Sequence, residues 1–445
     1  MITPMLEKGL SHARAVGAHE AEFAYVRDSS LKIEVCRGDV ETLSQSDASG
    51  VGVRVFTPDK RMGFAYGTLN NETTVDAIVD AAWQNAQAND PDEYNGLPAQ
   101  GAESEDDWAQ QDFSGIPTED KVALARDLER RTLESDARLT FVDCAAYSDS
   151  REEFVLVNSN GLRRTFATAA CSCYVVGVAS QPGLDSEMAA EFDVAQRYEK
   201  LRPQWVAGEC AAKAVRKLGG TPCKTGLRPV VLDNQVAKQL LTVLGSALSG
   251  NQVLKQRSFL AGHEEKSVAA ECLSIRDQND LPEGLNRAPF DAEGLAGCAT
   301  PLIESGILKS YFHNSYTARK MGRPHTANGV RAGFRSTPTV GATNTYIAPG
   351  RLSQRQLCER ARDGLFITKI MGIHTADGVS GDFSVGAAGM LIEHGELTRP
   401  VRGVTMAGNL LDLLGKTSAV ADDLRFFGAY GAPSLLVSEL MISGE

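Results

Sequence analysis

One strand-and-helix segment near the middle of the chain constrains the fold more than any other stretch. Residues 230–232 form a short apolar run that is typical of a buried strand, and Asp233 then supplies a carboxylate that can cap a helix. Apolar residues recur at helical spacing from Val236 to Leu248, and Gly250 stands where a helix C-cap is expected. This apolar face is wide, so we predict a mostly buried central helix fed by a buried strand.

The rest of the chain reads as two domains of mixed composition. A length of 445 residues suggests two or three domains of roughly 150 residues each. Helical patterns and period-two strand patterns alternate along the first half, and a glycine- and proline-containing stretch near Thr221 marks a boundary. We predict an α+β protein: residues 1–220 form an antiparallel sheet with helices, and residues 221–445 form a mixed, barrel-like sheet with the central buried helix.

Charge and hydropathy exclude several classes of function. The formal net charge is −12, whereas a nucleic-acid-binding protein needs a basic face. We find neither a signal-peptide pattern nor an apolar run of the roughly 20 residues that a membrane-spanning helix requires. The nine cysteines contain no C-x-x-C pair, as is typical of free thiols in a reducing compartment. We therefore expect a cytoplasmic protein that binds neither nucleic acid nor membrane.

Two glycine-containing stretches predict close approach between backbones. Gly50 and Gly52 lack the third glycine and the following helix of a dinucleotide-binding fingerprint, so close packing is the better interpretation. The run from Gly372 to Gly389 is too poor in large side chains to pack through them. It suits strands that another backbone approaches closely.

The histidines and common hydrolase motifs offer little chemistry. No two of the seven histidines are three or four residues apart, so no helix presents a two-histidine zinc face. The sequence has no G-x-S-x-G elbow and no P-loop. His374, close in sequence to Asp377 and Asp382, is the one histidine worth testing for acid–base work, although a hydrogen-bonding loop residue is the favoured interpretation. A pair of catalytic carboxylates would meet in space rather than in sequence, so that alternative stays open.

Several motifs, taken in order, resemble the TldD/PmbA family, also called modulators of DNA gyrase. They are RAPFDAEG at 287–294, IESGILKSYFHNSYTARKMG at 303–322, SGDFSVGAAGMLIEHGEL at 380–397 and SGVGVRVF at 49–56. The resemblance implies one of two paralogous subunits. The TldD type is a zinc metallopeptidase with an H-E-x-x-x-H helix and a distal cysteine. The PmbA or TldE type lacks that metal set and partners it. Together they proteolyse unfolded peptides, including peptide-antibiotic precursors and antitoxins, inside a closed chamber.

The metal positions of the family are vacant in this sequence. The resemblance places the H-E-x-x-x-H positions on Leu241, Thr242 and Ser246, and the distal cysteine near Ala432. Leucine cannot bind zinc, and threonine and serine are poor zinc ligands. The resemblance therefore implies a PmbA/TldE-like pseudo-peptidase subunit whose C-terminal domain keeps a vestigial metallopeptidase helix. It would have no cofactor of its own, and zinc is expected only in a TldD-type partner.

An extended peptide could bind by adding a strand to a sheet edge. The candidate peptide-binding strand comprises small residues that leave room for a backbone, namely Ser380, Gly381, Asp382, Phe383, Ser384 and Gly386. Expected partners are a TldD-type zinc metallopeptidase subunit and an unfolded peptide, and the choice between homodimer and heterodimer stays open. Two alternatives remain: a self-sufficient peptidase with an unrecognised site near His374 and Asp382, and a non-enzymatic regulatory binding module.

Overall fold

The computed structural model describes residues 2–68, 72–98 and 103–445, and the chain divides into two compact units. The first unit comprises Met1–Gly219 together with Arg331–Thr337, and the second comprises Gly220–Val330 with Pro338–Glu445. The sequence assigned residues 331–337 to the C-terminal domain, whereas the structure groups them with the N-terminal unit. That short segment returns to the first unit from the middle of the second.

The first unit is a long-stranded sheet with helices. Its helices are α1 (Ile2–Ala15), α2 (Glu72–Ala88), α3 (Thr118–Glu134) and α4 (Pro203–Val215). Its strands are β1 (Glu20–Cys36), β2 (Asp39–Phe56), β3 (Met62–Gly67), β4 (Glu103–Asp107), β5 (Leu139–Asn158), β6 (Arg163–Ala179) and β7 (Glu187–Ala195). The strand order is β3-β2-β1-β5-β6-β4, and β7 also pairs with β6. All pairings are antiparallel except β4 with β6, which is parallel.

Side chains alternate between the two faces of this sheet, and the helices share one of them. Val51, Val53 and Val55 on β2 are fully buried in a cluster with residues of α1 and α2. Further along the same face, Ile33 and Tyr147 are buried in a cluster with residues of α3 and α4. Period-two alternation in the sequence thus becomes a helix-covered apolar face.

The opposite face of β2 receives the returning segment 331–337. A Cβ atom added to Gly50 would lie 2.4 Å from the ring of Phe334, and one added to Gly52 would lie 2.4 Å from the carbonyl oxygen of Phe334. The interpretation of these glycines as close-packing positions is confirmed. Any larger residue at Gly52 would displace a backbone.

A buried charge network holds the same segment. The Glu22 carboxylate accepts hydrogen bonds from Arg54 at 2.9 Å and from Arg331 at 2.6 Å, and all three side chains are almost fully buried. Burial opposes ionisation of Glu22, but the two guanidinium charges nevertheless hold its pKa below the ordinary value. An ionised Glu22 therefore ties Arg331 to the sheet.

The second unit is built mainly from strands. Its helices are α5 (Asn234–Ala247), α6 (Gly250–Leu254), α7 (Ser315–Met321), α8 (Gln354–Ala361) and α9 (Leu410–Gly415). Its longer strands are β8 (Gly226–Leu232), β10 (Ala299–Glu304), β15 (Gly364–Met371), β16 (Asp382–Glu393), β17 (Glu396–Asn409) and β21 (Leu435–Ser443). Its shorter strands are β9 (Ile275–Gln278), β11 (Ile307–Leu308), β12 (Gly329–Val330), β13 (Thr339–Val340), β14 (Thr345–Ile347), β18 (Thr417–Val420), β19 (Arg425–Phe427) and β20 (Tyr430–Ala432).

A five-strand barrel forms the centre of the second unit. The main sheet has the order β17-β16-β15-β8-β21-β18, and an additional pairing of β17 with β21 closes it. β8 runs parallel to β15 and antiparallel to β21, so the sheet is mixed. A second sheet has the order β11-β10-β9-β14-β20-β19, and β12 pairs with β13. The predicted α+β fold with a barrel-like C-terminal sheet is confirmed.

The central helix α5 follows β8 as the sequence predicted, but it ends differently. Asp233 is the N-cap, with its carboxylate accepting from the amide of Gln235 at 3.0 Å. The predicted C-cap at Gly250 is wrong, because α5 ends at Ala247 and Gly250 begins α6. Glycine is required there by packing, since a Cβ atom would lie 2.8 Å from the carbonyl oxygen of Phe312. No helix within the described ranges is both long and apolar enough to cross a bilayer.

Candidate functional site

The central helix presents its three predicted metal-site positions to different surroundings. Leu241 is only 2% exposed and belongs to the main apolar core of the second unit. It lines a very small apolar gap with Leu410 and Leu414 of α9 and Leu435 of β21. Its side chain therefore faces the interior and fills a packing position.

Thr242 and Ser246 lie on the exposed side of the same helix, one turn apart. The Thr242 hydroxyl donates to the carbonyl oxygen of Lys238, one turn earlier, at 3.0 Å. Burial lowers the pKa of the Lys238 ammonium group, so this flank of the helix is only partly open to water. The accessible chemistry of α5 at these positions is one ammonium group and two hydroxyl groups.

The donor set of α5 does not fit a zinc ion. None of the three residues supplies an imidazole, carboxylate or thiolate. Ala432, the predicted position of a distal cysteine, is fully buried and apolar.

Across residues 2–68, 72–98 and 103–445, no three histidine, cysteine, aspartate or glutamate side chains cluster in a way that could hold a metal ion. We therefore derive no catalytic step through zinc for this chain. The assignment of Leu241, Thr242 and Ser246 as vacant metal positions stays a prediction.

The flank of α5 near its C-terminal end contacts a residue that the sequence did not single out. A Cβ atom added to Gly245 would lie 2.3 Å from the Tyr430 hydroxyl oxygen, so Tyr430 packs directly against the helix. Burial, with a smaller contribution from Asp277, raises the pKa of Tyr430 to about 12. Tyr430 is therefore a neutral hydroxyl beside the helix at neutral pH. The glycine at position 245, inside an otherwise apolar helical run, was the one sequence signal that could have indicated a bulky neighbour there.

The candidate peptide-binding strand lies at the start of β16. Gly381 is buried in the left-handed backbone conformation, Phe383 points inward, and Asp382 and Ser384 are exposed. The Asp382 carboxylate accepts hydrogen bonds from the Asn409 amide at 2.8 Å and from the Ser380 hydroxyl at 2.9 Å. These bonds hold its pKa below the ordinary value. Ser380 and Asp382 thus stabilise the turn that enters the strand.

The expectation of a sheet edge is wrong only from Gly386 onward, where β16 pairs with a strand on each side. Gly386 pairs with Thr405 of β17 on one side and with Met371 of β15 on the other. Gly389 is also enclosed, because a Cβ atom there would lie 1.9 Å from the carbonyl oxygen of Phe366. The close backbone approach predicted for this stretch is real, but a neighbouring barrel strand supplies it. In the described chain, residues 382–385 pair with β17 alone.

His374 is exposed on the short turn Ile373–Thr375 that precedes this strand. The nearby carboxylates are engaged elsewhere: Asp377 accepts from the amide of Val379 at 2.7 Å, and Asp382 binds Ser380 and Asn409. The structure places no hydrogen bond between His374 and either aspartate within the described chain. It therefore does not bring together the acid–base set that the sequence suggested.

Sequence reasoning missed a buried carboxylate pair in the RAPFDAEG motif. Asp291 accepts hydrogen bonds from the amides of Glu293, Leu295 and Gly329, at 2.9 to 3.0 Å. Burial, reinforced by the neighbouring Glu293, raises the pKa of Asp291 to about 7. Glu293 in turn accepts from the amide of Ser315 at 2.7 Å. Two motifs distant in sequence are thus joined through buried carboxylates and backbone amides.

A second buried carboxylate organises the adjoining loops. Asp277 accepts from the hydroxyls of Thr343 and Thr345 at 2.5 and 2.6 Å, and from the amide group of Asn328 at 2.8 Å. Burial raises the pKa of Asp277 despite these bonds. Such a group has few free lone pairs for a substrate, so it orders the loops.

His313 completes this polar interior. It is 1% exposed, its Nδ1 lies 3.3 Å from the Thr317 hydroxyl, and burial lowers its pKa to about 4. His313 is therefore neutral at physiological pH. The signal for these positions was the D-A-E-G run and the H-N-S-Y-T run, which carry polar residues where an apolar core would otherwise continue.

Family models match the chain as three consecutive domains of one class of protein, the metallopeptidases. Residues 21–86 match PmbA/TldA metallopeptidase domain 1, residues 111–218 match the central domain, and residues 225–444 match the C-terminal domain. Together these matches span most of the sequence in order. The chain belongs to the PmbA/TldD family, and the resemblance found in the sequence is confirmed.

Individual relatives agree with this assignment. A "Metalloprotease PmbA homolog" from Haemophilus influenzae is 28% identical over 432 residues, covering 96% of this chain and 92% of the relative. A "Metalloprotease TldD homolog" from the same organism is 26% identical, covering 84% of this chain and 79% of the relative.

Solved structures share the fold. TldE from Thermococcus kodakarensis has a TM-score of 0.90 at 23% identity, covering 99% of this chain and all of that one. A candidate modulator of a DNA gyrase from Thermotoga maritima has a TM-score of 0.89 at 24% identity, with both chains fully covered. At these identities the similarity establishes the architecture alone.

Proposed function

We propose that this chain is the non-catalytic, PmbA/TldE-like subunit of a two-component zinc peptidase that binds and helps to proteolyse unfolded peptides. The observation that carries the proposal is the donor set of the central helix. Leu241 is a buried packing residue, and Thr242 and Ser246 offer only hydroxyl groups on the exposed side. In this proposal a TldD-type partner supplies the zinc ion and the water-activating carboxylate.

The comparisons support a paired arrangement. Haemophilus influenzae has one relative named for PmbA and one named for TldD, and both align with most of this chain. Two paralogues with a common architecture can reuse one contact surface, so a pseudo-symmetric heterodimer is the expected assembly. This chain would then complete the enclosure around the substrate without performing the chemistry.

Mixing the purified chain with a TldD-type paralogue tests this function. Four samples are compared on an unfolded peptide: the chain alone, the paralogue alone, the mixture, and the mixture with chelator. We expect hydrolysis in the mixture that exceeds the sum of the two components and disappears with chelator. Equal hydrolysis by the zinc-loaded chain alone would contradict the proposal and favour a self-sufficient peptidase. No stimulation of the paralogue would favour a separate binding module.

The start of β16 is tested within the same mixture. A Cβ atom at Gly386 would lie 3.2 Å from the Met371 methyl carbon, at the end of a flexible and exposed side chain, so Gly386→Val should fold. If residues 380–386 contact peptide, Gly386→Val lowers hydrolysis by the mixture while zinc content and heterodimer formation stay unchanged. Unaltered hydrolysis would remove this strand from the peptide site.

A matched control shows what backbone disruption looks like. Gly389 lies three residues further along β16, and a Cβ atom there would overlap the Phe366 carbonyl oxygen at 1.9 Å. Gly389→Val should therefore disrupt the barrel and lower both soluble yield and thermal stability. An effect of Gly386→Val that resembles this pattern would reflect misfolding and would count against a role in peptide binding.

A further inference from the structure

The edge strands of the sheet in the first unit are protected by side-chain hydrogen bonds at some places and not at others. At one border, Asn85 on α2 and Asn89 just after that helix donate side-chain hydrogen bonds to the carbonyl oxygens of Phe64 and Met62 on β3, at 2.9 and 2.8 Å. At the other border, the Lys217 ammonium group donates to the carbonyl oxygen of Met188 on β7 at 3.0 Å. Such devices prevent unpaired backbone groups from recruiting a foreign strand.

The outer half of β2 lacks these devices. β3 pairs only with residues 51–56 of β2, whereas residues 39–49 pair with β1 and with no other strand in the described chain. Residues 39–48 are exposed apart from the half-buried Thr42. The sequence of this stretch, DVETLSQSDAS, contains neither the lysine nor the proline that commonly protects an edge.

The direction of the backbone groups follows from the bonds at the inner end of β2. The Phe64 carbonyl oxygen accepts from a side chain of α2, so it points away from β2. Phe64 and Arg54 are therefore a non-hydrogen-bonded pair of the ladder, and the backbone N–H and C=O of Arg54 point toward β1. The Phe56 carbonyl, two residues further on, accepts from the His19 amide at 2.8 Å on the β1 side, as this alternation requires. Alternation along the regular ladder then directs the N–H and C=O groups of Leu43, Gln45 and Asp47 outward.

A groove runs beside this open edge. It has a volume of about 590 Å³ and lies between Leu43, which is 54% exposed, and the flank of α3 around Val122, Ala123 and Arg126. A strand added to β2 would direct alternate side chains into this groove. Backbone donors and acceptors and an apolar recess for side chains therefore occur together, as strand addition requires.

We propose that residues 41–47 of β2 dock an extended, unfolded polypeptide as an additional strand, with its alternate side chains in the groove against α3. The occupant is neutral to basic. Residues 39–49 contain Asp39, Glu41 and Asp47 and no basic residue; Asp47 is paired with Arg27 of β1 at 2.9 Å, so Asp39 and Glu41 carry the negative charge of this edge. The groove lining adds two acidic and two basic side chains. Pairing of this edge with a second copy of itself would bring like charges together, which disfavours a symmetric dimer here.

This inference deepens the proposed function and rests on its peptide-binding part. It assigns peptide capture to strand β2 of the first unit. Main-chain hydrogen bonds place little demand on sequence, which suits a subunit that accepts diverse unfolded peptides. The binding test uses the chain alone. If the edge binds no peptide, the proposed partner-dependent hydrolysis is not contradicted. If the mixture shows no hydrolysis, binding at the edge is not contradicted.

The probe is a fluorescein-labelled peptide of about ten residues that alternates valine or threonine with lysine, a length typical of a long strand. Binding to the full-length chain is followed by fluorescence anisotropy. Gln45→Pro removes an outward N–H without removing a bond to β1, and proline is tolerated at such edge positions. Gln45→Thr keeps the N–H and serves as the matched control. A second variant, Leu43→Lys, adds charge at the groove, with the exposed turn residue Leu184→Lys as its control.

We expect saturable binding that Gln45→Pro and Leu43→Lys each weaken about tenfold or more, since each removes main-chain bonding or apolar contact. The two control variants should bind like the unaltered chain. Two further peptides are N-methylated on every second residue, one at the odd and one at the even positions. The peptide whose remaining N–H groups face β2 should bind, and the other should not. Absence of binding, or equal binding by Gln45→Pro, would overturn the proposal. A dimer that Gln45→Pro dissociates in sedimentation velocity would also overturn it, by showing that a second copy occupies the edge.

Discussion

Leu241, Thr242 and Ser246 are close in sequence but perform different physical tasks on α5. Leu241 fills the core against α9, while Thr242 and Ser246 face outward. Truncating a buried leucine removes apolar contacts and leaves a cavity, which costs about 2–5 kcal/mol. We expect Leu241→Ala to lower the free energy of unfolding by about that amount, measured by urea denaturation followed by far-UV circular dichroism. Thr242→Ala is the control, because its exposed hydroxyl bonds only its own helix, and an equal loss there would contradict this assignment.

The helix geometry also predicts which substitutions would create a metal site. Histidines at 242 and 246 lie on one exposed face one turn apart, so the double variant Thr242→His/Ser246→His should bind Zn²⁺ in isothermal titration calorimetry. Leu241→His alone should not, because its side chain enters the apolar core without a second strong ligand beside it. Equal zinc binding by this single variant would contradict the assignment of Leu241 as a core residue.

His313 and Asp291 give opposite contributions to the pH dependence of stability. The pKa of native His313 is lowered to about 4, so on acidification below 6.5 the unfolded chain gains a proton that the native state does not, and stability is lost. This contribution reaches roughly 2 kcal/mol near pH 4.5. Asp291, whose pKa is raised to about 7, binds its proton in the native state first, so acidification from pH 7 to 4 adds stability.

We therefore expect His313→Gln to flatten the acid destabilisation between pH 6.5 and 4.5, and Asp291→Asn to steepen it. Urea midpoints from far-UV circular dichroism at several pH values measure both effects. All three tryptophans (Trp83, Trp108 and Trp205) belong to the first unit, so far-UV circular dichroism rather than tryptophan fluorescence is the probe for these two variants of the second unit. Parallel pH profiles for the three proteins would contradict these protonation states.

At the scale of elements, the returning segment 331–337 stabilises the first unit through one buried ion network. Replacing Arg331 removes one of the two guanidinium groups that bind the buried Glu22 carboxylate and leaves the ion pair with Arg54. Breaking a buried pair typically costs about 3–5 kcal/mol. We expect Arg331→Leu to destabilise the first unit by that order, measured by tryptophan fluorescence in urea. Arg335→Leu, in the same segment but exposed, should have little effect. Equal midpoints for the two variants would contradict the role of the network.

Local patterns predicted the elements that depend on near neighbours in sequence. Asp233 was correctly predicted as the N-cap of the central helix, because a carboxylate just before an apolar helical run can accept from the free amides of the first turn. Gly250 was misassigned as a C-cap because the reason for its glycine is the Phe312 carbonyl, which lies more than sixty residues away in sequence. The prediction of a sheet edge at Gly386 was wrong for the same reason, since the strands that pair with β16 are set by the tertiary fold and not by the local sequence. The burial of Asp277, Asp291 and His313 was likewise not predicted, because it depends on how the loops assemble.

At the scale of the whole molecule, the proposed function divides peptide binding and zinc chemistry between two subunits. The chain keeps the family architecture over most of its length. The residues that the resemblance places at the metal positions now serve packing or helix-surface roles. The proposed role is compatible with this change, because main-chain recognition of a peptide depends on strands and grooves rather than on a metal ligand set.

The most direct test of the central claim is the zinc content of the purified chain after equilibrium dialysis against zinc and then against metal-free buffer. The Thr242→His/Ser246→His variant serves as the positive control in the same experiment. We expect the unaltered chain to retain far less than one equivalent of zinc, and the variant, which has two strong ligands, to retain more than the unaltered chain. One equivalent retained by the unaltered chain and lost on Thr242→Ala would place a metal on the central helix and contradict the account.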